Sequence, residues 1–198
     1  MLAGWRTGIA PGSYRRTIRR KRRDHKQSPP KSRTRHLAVE GLEGRLLLTV
    51  TVMTDYQQLV LELVNRARAN PNAEAALCGI GLNHGLPANT ISAAAKQPLA
   101  PNRALIAAAG AHSQDMLDRD FFDHDNPDGK DPGDRIRDAG YVASTWGENI
   151  AWQGSTGAID LTEYVHDLHA GLFQSPGHRR NILNADFREL GPGVRAGV

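Results

Sequence analysis

Three ionisable residues stand in short motifs whose neighbours constrain the backbone. His124 follows two phenylalanines, Glu148 follows a glycine, and His178 follows a Pro-Gly pair. Neutral imidazole nitrogens bind divalent cations, and a carboxylate beside them can orient a ligand histidine. We therefore expect one site, in which His124 and His178 bind zinc or another divalent cation. In that site Glu148 orients a ligand or holds a bound water.

The stretch around His178 has the pattern of a helix start. Ser175 can cap a helix with its hydroxyl, and Pro176 suits the first helical position because its missing N–H would have no partner there. His178 would then lie in the first turn with a fixed side-chain direction. The alternative is that His178 only makes hydrogen bonds within the fold, as most histidines do. The spacing alone leaves both interpretations open.

Two amphipathic helices precede these motifs. Thr54 and Gln57 form a capping-box signature, and Asn70-Pro71 ends the first helix. Its apolar stripe has helical spacing and consists of Tyr56, Leu59, Val60, Leu63, Val64 and Ala67. Residues 79–98 have no period and predict a loop.

The second helix begins after Asn102, its predicted cap. His112 lies on the apolar face of this helix, with Leu105, Ala108, Ala109 and Met116. We interpret His112 as a packed histidine at the edge of the site. The alternative is that it is only a neighbour in the core.

The remaining elements follow from caps, glycines and periodicity. Residues 131–139 predict a short helix ended by Gly140, and residues 148–152 predict a buried strand. Asp160 is the predicted cap of a third long helix, and residues 193–198 predict a final strand. The stripe of this third helix is Leu161, Tyr164, Val165, Leu168 and Leu172.

Two other groups of residues have metal-binding types but unfavourable patterns. His166 and His169 have a three-residue spacing that could hold a metal, yet they lie beside the apolar stripe and are expected to be half-exposed. Residues 115–138 contain nine aspartates. Counted from Asp123, the glycine position of an EF-hand falls on Asp128 and the glutamate position on Asp134. We therefore expect a solvated acidic loop.

The charge of the 198-residue chain is divided between two regions. Residues 1–50 contain 13 Lys/Arg and 3 Asp/Glu, a balance of +10, and residues 51–198 contain 12 and 18, a balance of −6. We expect residues 1–53 to be a basic disordered leader, because they have few apolar residues, and residues 54–198 to be one domain. No groove-entering helix or stacking aromatics accompany the basic run, so we expect no nucleic-acid partner.

Export is suggested by the segment at the end of the leader. Leu42 to Thr49, LEGRLLLT, resembles the Leu-Glu-Pro-Arg-x-Leu-Leu segment of exported proteins of planctomycete-like bacteria, with Gly44 in place of the proline. The apolar run at residues 46–53 is far too short to span a bilayer, and we expect no transmembrane segment. Cys78 is the only cysteine, which excludes an intramolecular disulfide.

Several motifs, in one order along residues 55–198, resemble the SCP-like or CAP superfamily of cysteine-rich secretory, antigen-5 and pathogenesis-related proteins. They are LVNRARANP, LIAAAGAHSQDM, FFDH, RIRDAGY, GENIA, SPGHRRNIL and FRELGPGV. The resemblance implies a secreted or cell-surface protein. Its implied fold class is α+β, a three-layer α/β/α sandwich with a small antiparallel sheet.

In many members of this superfamily a cleft carries two histidines, which can bind a divalent metal, and two glutamates. His124 matches the first histidine, Glu148 the glutamate of the GEN motif, and His178 the second histidine. The chain departs from the pattern at Ser175, near the place of the second glutamate. Relatives also continue through further strands after the point where this sequence ends. The resemblance therefore implies a domain truncated at its C-terminal strands, or one that closes differently.

The resemblance favours a non-catalytic extracellular binding module for a lipid, a glycan or a protein, acting as a monomer. The alternative is a metal-dependent, protease-like hydrolase, in which a zinc ion on His124 and His178 activates water and Glu148 is the base. Catalytic zinc usually has three protein ligands, so two histidines favour the binding module.

Overall fold

The computed structural model describes residues 52–158 and 160–197. The leader up to residue 51, with its predicted disorder and the LEGRLLLT segment, lies outside them. The elements are α1 (Asp55–Ala69), α2 (Pro71–Leu77), β1 (Ala100–Pro101), α3 (Arg103–Asp118), α4 (Pro132–Asp138), α5 (Leu161–Gln174), α6 (Pro176–Ile182) and β2 (Glu189–Leu190). In this part of the chain, no helix has the length and apolar character needed to cross a membrane.

The start of α1 is the capping box that its sequence predicts. The Gln57 backbone N–H donates to the Thr54 hydroxyl at 3.3 Å, and the Thr54 N–H donates to the Gln57 side chain at 2.9 Å. Four residues of the predicted stripe are buried: Val60, Leu63, Val64 and Ala67. They form the larger hydrophobic core with residues of α5, α6 and β2. Burial of this face fixes the orientation of α1.

The sequence interpretation missed α2. Asn70 and Pro71 do end α1, but the Asn70 side chain accepts from the Ala73 N–H at 3.1 Å and caps the next helix. Pro71 occupies the first helical position, where no N–H is needed. The same residue pair therefore stops one helix and starts another. Residues 79–98 form the predicted loop, without a helix or strand.

A second core lies under α3 and α4. It contains Leu105, Ala108, Ile136 and Tyr141. The predicted cap Asn102 starts α3, and Asp131, predicted as the first residue of its helix, caps α4. The chain after β2 approaches α3 so closely that a Cβ on Gly191 would lie 2.1 Å from the Leu105 carbonyl carbon. Glycine is therefore required there for backbone packing.

The two described strands pair in parallel, with Ala100 opposite Glu189 and Pro101 opposite Leu190. The expectation of an antiparallel sheet is wrong for this pair. A parallel pair needs a long crossover, and here the intervening chain contains four helices. Residues 148–152 form no strand, so that strand prediction is wrong, and within residues 193–197 the β-type pairing is a single bridge at Gly193. The fold class is nevertheless α+β, helix-rich with a small sheet.

Glu74 on α2 is buried and contacts Arg66 on α1 and His169 on α5. Glu74 Oε1 lies 2.9 Å from His169 Nε2 and 2.7 Å from Arg66 Nη2. Glu74 is 1% exposed and His169 3% exposed. The expectation that His169 is half-exposed is therefore wrong, because its partner comes from a helix 95 residues earlier. His166, three residues earlier on α5, is exposed.

We expect acid to destabilise the fold through Glu74. Burial raises the pKa of this carboxyl, but hydrogen bonds from Arg66 and His169 outweigh it and lower the pKa to about 2. A group whose pKa is lowered in the folded state stabilises the protein above its unfolded pKa of about 4.3, and that contribution disappears as the pH falls towards 2. Glu74→Gln should be about 1–3 kcal/mol less stable than wild type at neutral pH, and the two should converge in acid.

Urea unfolding at a series of pH values measures this convergence. Glu62 is an exposed carboxylate on α1, so Glu62→Gln should follow the wild-type pH profile throughout. A constant difference between wild type and Glu74→Gln down to low pH would show that Glu74 does not titrate as we expect.

Candidate functional site

Glu148 joins His124 and Arg135 in one chain of hydrogen-bonded side chains. Glu148 Oε1 lies 2.7 Å from His124 Nδ1, and Glu148 Oε2 lies 2.7 Å from Arg135 Nη2. An ionised carboxylate can only accept, so His124 donates its Nδ1–H and keeps the lone pair of a neutral ring on Nε2. The Glu148 side chain is 9% exposed and the His124 side chain 46%. The half-exposed group at this site is therefore an oriented imidazole rather than a free carboxylate.

Arg135, on α4, also forms a hydrogen bond to the backbone of His124. Its Nη1 donates to the His124 carbonyl at 2.6 Å and to the Lys130 carbonyl at 2.9 Å. One buried guanidinium thus fixes the His124 backbone and neutralises Glu148. The sequence analysis missed this role, although Arg135 lies in one of the family motifs. No spacing signal connects Arg135 to a glutamate 13 residues away.

His178 lies in the first turn of α6, half-buried, as predicted. Burial lowers the pKa of His178, and the charge that His124 carries when it is protonated lowers it further. A lowered pKa favours the neutral, metal-binding form of the ring.

The sequence predicts that the Ser175 hydroxyl caps α6, and this prediction is correct for the position of Ser175 but not for its hydroxyl. Ser175 occupies the cap position, but its hydroxyl makes no capping hydrogen bond. Only Ser175 separates α5 from α6, and its backbone serves both helices. Its N–H donates to the Gly171 carbonyl at 3.2 Å, and its carbonyl accepts from the Arg179 N–H at 2.9 Å.

Two asparagine side chains join the Glu148 segment to α6. Asn149 Nδ2 donates to the His178 carbonyl at 3.2 Å, and Asn181 Nδ2 contacts Asn149 Oδ1 at 3.0 Å and the Glu148 carbonyl at 3.2 Å. These bonds replace the ladder of the predicted strand at residues 148–152. Sequence reasoning missed both asparagines, because isolated asparagines more often mark turns.

His112 is the packed histidine at the site edge that the sequence predicts. It is 1% exposed, and its Nε2–H donates to the Asp123 carbonyl at 2.9 Å, directly before His124. Burial lowers its pKa. Its Nδ1 is buried without a hydrogen-bond partner among the described residues. His112 therefore supports the His124 backbone, and its neutral ring is fixed in one tautomer.

Phe122, Tyr141, Ile150 and Ile182 flank the three ionisable residues in their motifs, and the sequence predicts that all four are buried. Tyr141, Ile150 and Ile182 are buried, but Phe122 is 48% exposed. The expectation for Phe122 is wrong because the adjacent Phe121 packs inward, with its ring centre 5.6 Å from that of His112.

Ile150→Ala should destabilise the fold by about 2–3 kcal/mol, near the lower end of the usual cost of such core truncations. Ile150 packs in a small cluster with Ala109 and half-buried Met116, which leaves the surrounding side chains some room to relax. Val142→Ala is the matched control, because Val142 is 85% exposed. Thermal or urea unfolding checks both, and a loss below about 0.5 kcal/mol for Ile150→Ala would mean that this segment is a surface loop.

No group of three or more His, Cys, Asp or Glu side chains in the described ranges is arranged to hold a metal ion. His166 and His169 in particular face different surroundings. Among the described residues, Glu148 bonds to the side chain of His124, and the neighbouring Asn149 bonds to the backbone of His178.

The comparisons with known proteins agree with these motifs. The model of the CAP family, the cysteine-rich secretory protein family, matches residues 61–196. The uncharacterized protein YkwD of Bacillus subtilis (strain 168) is 36% identical over 97 residues, which are 49% of this chain and 35% of that protein. The uncharacterized membrane protein YlbC of the same organism is 31% identical over 86 residues, 43% of this chain and 22% of that protein.

A solved structure shares the fold. The crystal structure of an extracellular protein containing a SCP domain from Bacillus anthracis str. Ames has a TM-score of 0.50 and 31% identity, covering 71% of this chain and 37% of that chain. The chain thus spans well under half the length of each of these three relatives. The family model covers more than half of the sequence, and it includes every residue of the site. This protein therefore belongs to the CAP family of cysteine-rich secretory proteins.

Proposed function

We propose that this protein is exported and acts as an extracellular, non-catalytic binding module. Its leader segment LEGRLLLT and its similarity to an extracellular SCP-domain protein support export. In this proposal its cleft, formed by His124, Glu148 and His178, binds a divalent cation. The larger hydrophobic core, the second core under α3 and α4 and the short sheet support the three-layer arrangement of the family.

One observation carries the proposal: both carboxylate oxygens of Glu148 are engaged, one by His124 and the other by Arg135. A general base needs a free oxygen within hydrogen-bond reach of the water it activates. Glu148 instead resembles the carboxylates that hold a metal-binding histidine in the correct tautomer. This engagement supports a binding role over the metal-dependent hydrolase.

The donor set fits a weakly held zinc ion. His124 Nε2 carries the free lone pair, and burial keeps His178 neutral at physiological pH. When bound, the ion would supply a Lewis-acidic contact for an oxygen of the ligand. The protein residues do the rest: Glu148 and Arg135 orient His124, and Asn149 fixes the backbone of His178.

Crystals soaked in zinc test this proposal. We expect an anomalous peak about 2.0–2.1 Å from one nitrogen of each histidine, with Glu148 still bonded to His124. A peak absent from the cleft, or imidazoles more than about 8 Å apart, would contradict the metal site. Hydrolysis of peptides by the zinc-loaded protein, lost in Glu148→Gln, would instead favour the hydrolase.

A further inference from the structure

We propose that the ligand of this module is a neutral oligosaccharide, which stacks on three exposed aromatic rings around the His124–Glu148 pair. The inference rests on the proposed binding function and gives its ligand class. The rings are those of Phe122, Trp146 and Trp152, which are 48%, 42% and 71% exposed. Large aromatic side chains dominate the energetics of contact surfaces, so three exposed ones in one region indicate a binding surface.

Each of the three aromatics lies within four residues of His124 or Glu148 along the chain. Phe122 lies two residues before His124, and Trp146 two residues before Glu148, so each backbone is within about 7 Å of its site residue. Trp152 follows Glu148 by four residues, at most about 14 Å away. The 2.7 Å bond between His124 and Glu148 ties the two loops together.

Both tryptophans rest on glycines that leave room for the indole. A Cβ on Gly154 would lie 3.2 Å from Cζ3 of Trp152, and a Cβ on Gly133 would lie 2.9 Å from Nε1 of Trp146. One side of each indole is therefore supported by backbone, while much of the ring remains open to solvent. Rings held in this way lose little conformational freedom when a ligand stacks on them.

The segment after Glu148 has the polar groups that a sugar requires. Residues 149–158 contain no Asp, Glu, Lys or Arg, although the chain as a whole is 23% charged. Gln153, Ser155 and Thr156 are exposed beside Trp152. Amide and hydroxyl groups can both donate and accept, as sugar hydroxyls do, while the apolar C–H face of a pyranose ring stacks on an indole.

The charge of the domain argues against a lipid surface as the partner. Residues 51–198 carry 12 Lys/Arg and 18 Asp/Glu, a balance of −6, and nine of the aspartates lie in residues 115–138 beside Phe122. Anionic headgroups attract basic segments and are repelled by an acidic field. A neutral, hydroxyl-rich ligand avoids this repulsion and matches the uncharged segment.

Calorimetry of the full chain with chitohexaose and with cellohexaose tests the proposal. We expect at least one hexamer to bind, and Trp152→Ala and Trp146→Ala to weaken that binding at least about tenfold. Leu77→Ala is the matched control, because Leu77 is 72% exposed on α2 and should leave binding unchanged. Zinc titration of the same variants should match wild type, which separates the aromatic surface from the metal site.

Three outcomes would overturn the inference. The first is that neither hexamer binds at millimolar concentration. The second is that Trp152→Ala binds the hexamer as tightly as wild type does. The third is that phosphatidylcholine vesicles sediment the wild-type protein but not Trp152→Ala. If zinc binding persists in those cases, the proposed binding module stands without a saccharide ligand. If zinc binding fails while a hexamer binds through Trp152, the metal site is wrong and the saccharide surface stands.

Discussion

Arg68→Met is expected to destabilise the fold by about 3–5 kcal/mol, the cost of breaking a buried polar network at its charged member. Arg68 is 0% exposed on α1. Its guanidinium donates to the carbonyls of Gln97 (2.8 Å), Ile182 (2.9 Å) and Asn184 (2.8 Å). None of the ion pairs among the described residues includes Arg68, so backbone carbonyls alone solvate this cation.

The effect is large because Arg68→Met leaves three backbone carbonyls without the donor that the guanidinium provides. Methionine fills much of the same volume, but each buried carbonyl without a partner costs about 1–3 kcal/mol. Burial and the charge of Arg188 lower the pKa of Arg68 to about 10, which leaves it protonated at neutral pH. Lysine keeps the positive charge but lacks the planar guanidinium, which donates to several carbonyls at once. The stability of Arg68→Lys should therefore lie between that of Arg68→Met and that of wild type.

Urea unfolding measures the effect, with Arg103→Met as the control because Arg103 is exposed on α3. The control should change stability by less than about 0.5 kcal/mol. A loss below about 1 kcal/mol in Arg68→Met would mean that water reaches the carbonyls and that the guanidinium is not their essential partner.

His178→Ala is expected to weaken zinc binding at least about 100-fold, because it removes one of only two protein ligands. Wild-type binding should itself be weak, since two neutral imidazoles supply no negative charge. His166→Ala is the matched control, because His166 is exposed on α5 and lies outside the cleft. Calorimetry at about pH 7.5 measures the zinc affinity of wild type, His178→Ala and His166→Ala.

The pH dependence of zinc binding follows from the same histidine. Burial and the charge of His124 lower the pKa of His178, so its ring loses the ligand lone pair at a lower pH than an ordinary histidine does. Binding should therefore persist near pH 6.5 and be clearly weaker at about pH 5.5. Equal affinity of wild type and His178→Ala, at either pH, would show that this pair of histidines does not bind the ion.

Local hydrogen bonds explain which parts of the fold could be predicted. The caps Thr54, Asn102, Asp131 and Asp160 each act on a backbone N–H two or three residues away. The apolar stripe of α1 needs only the helical period. Helix starts and buried faces are therefore visible in a short stretch of sequence.

The site residues could be named from the sequence because three motifs carry them, but their roles could not. Glu148 could be a base or an orienting group, and only its bond to Arg135 distinguishes the two. His169 lies beside a predicted stripe, and only the position of Glu74 makes it a buried partner. Phe121 and Phe122 are adjacent and identical, and the packing of His112 selects the first.

By itself, the sequence determined the helix boundaries marked by caps, the acidic character of the domain and the identity of His124, Glu148 and His178 as candidates. Tertiary structure alone decided the parallel pairing of residues 100 and 189, the Asn149–Asn181 link and the partners of Arg68. The physical reason is separation along the chain. A hydrogen bond to a residue 32 or 114 positions away leaves no periodicity in the sequence, and it exists only because burial of the helix faces has brought the two segments together.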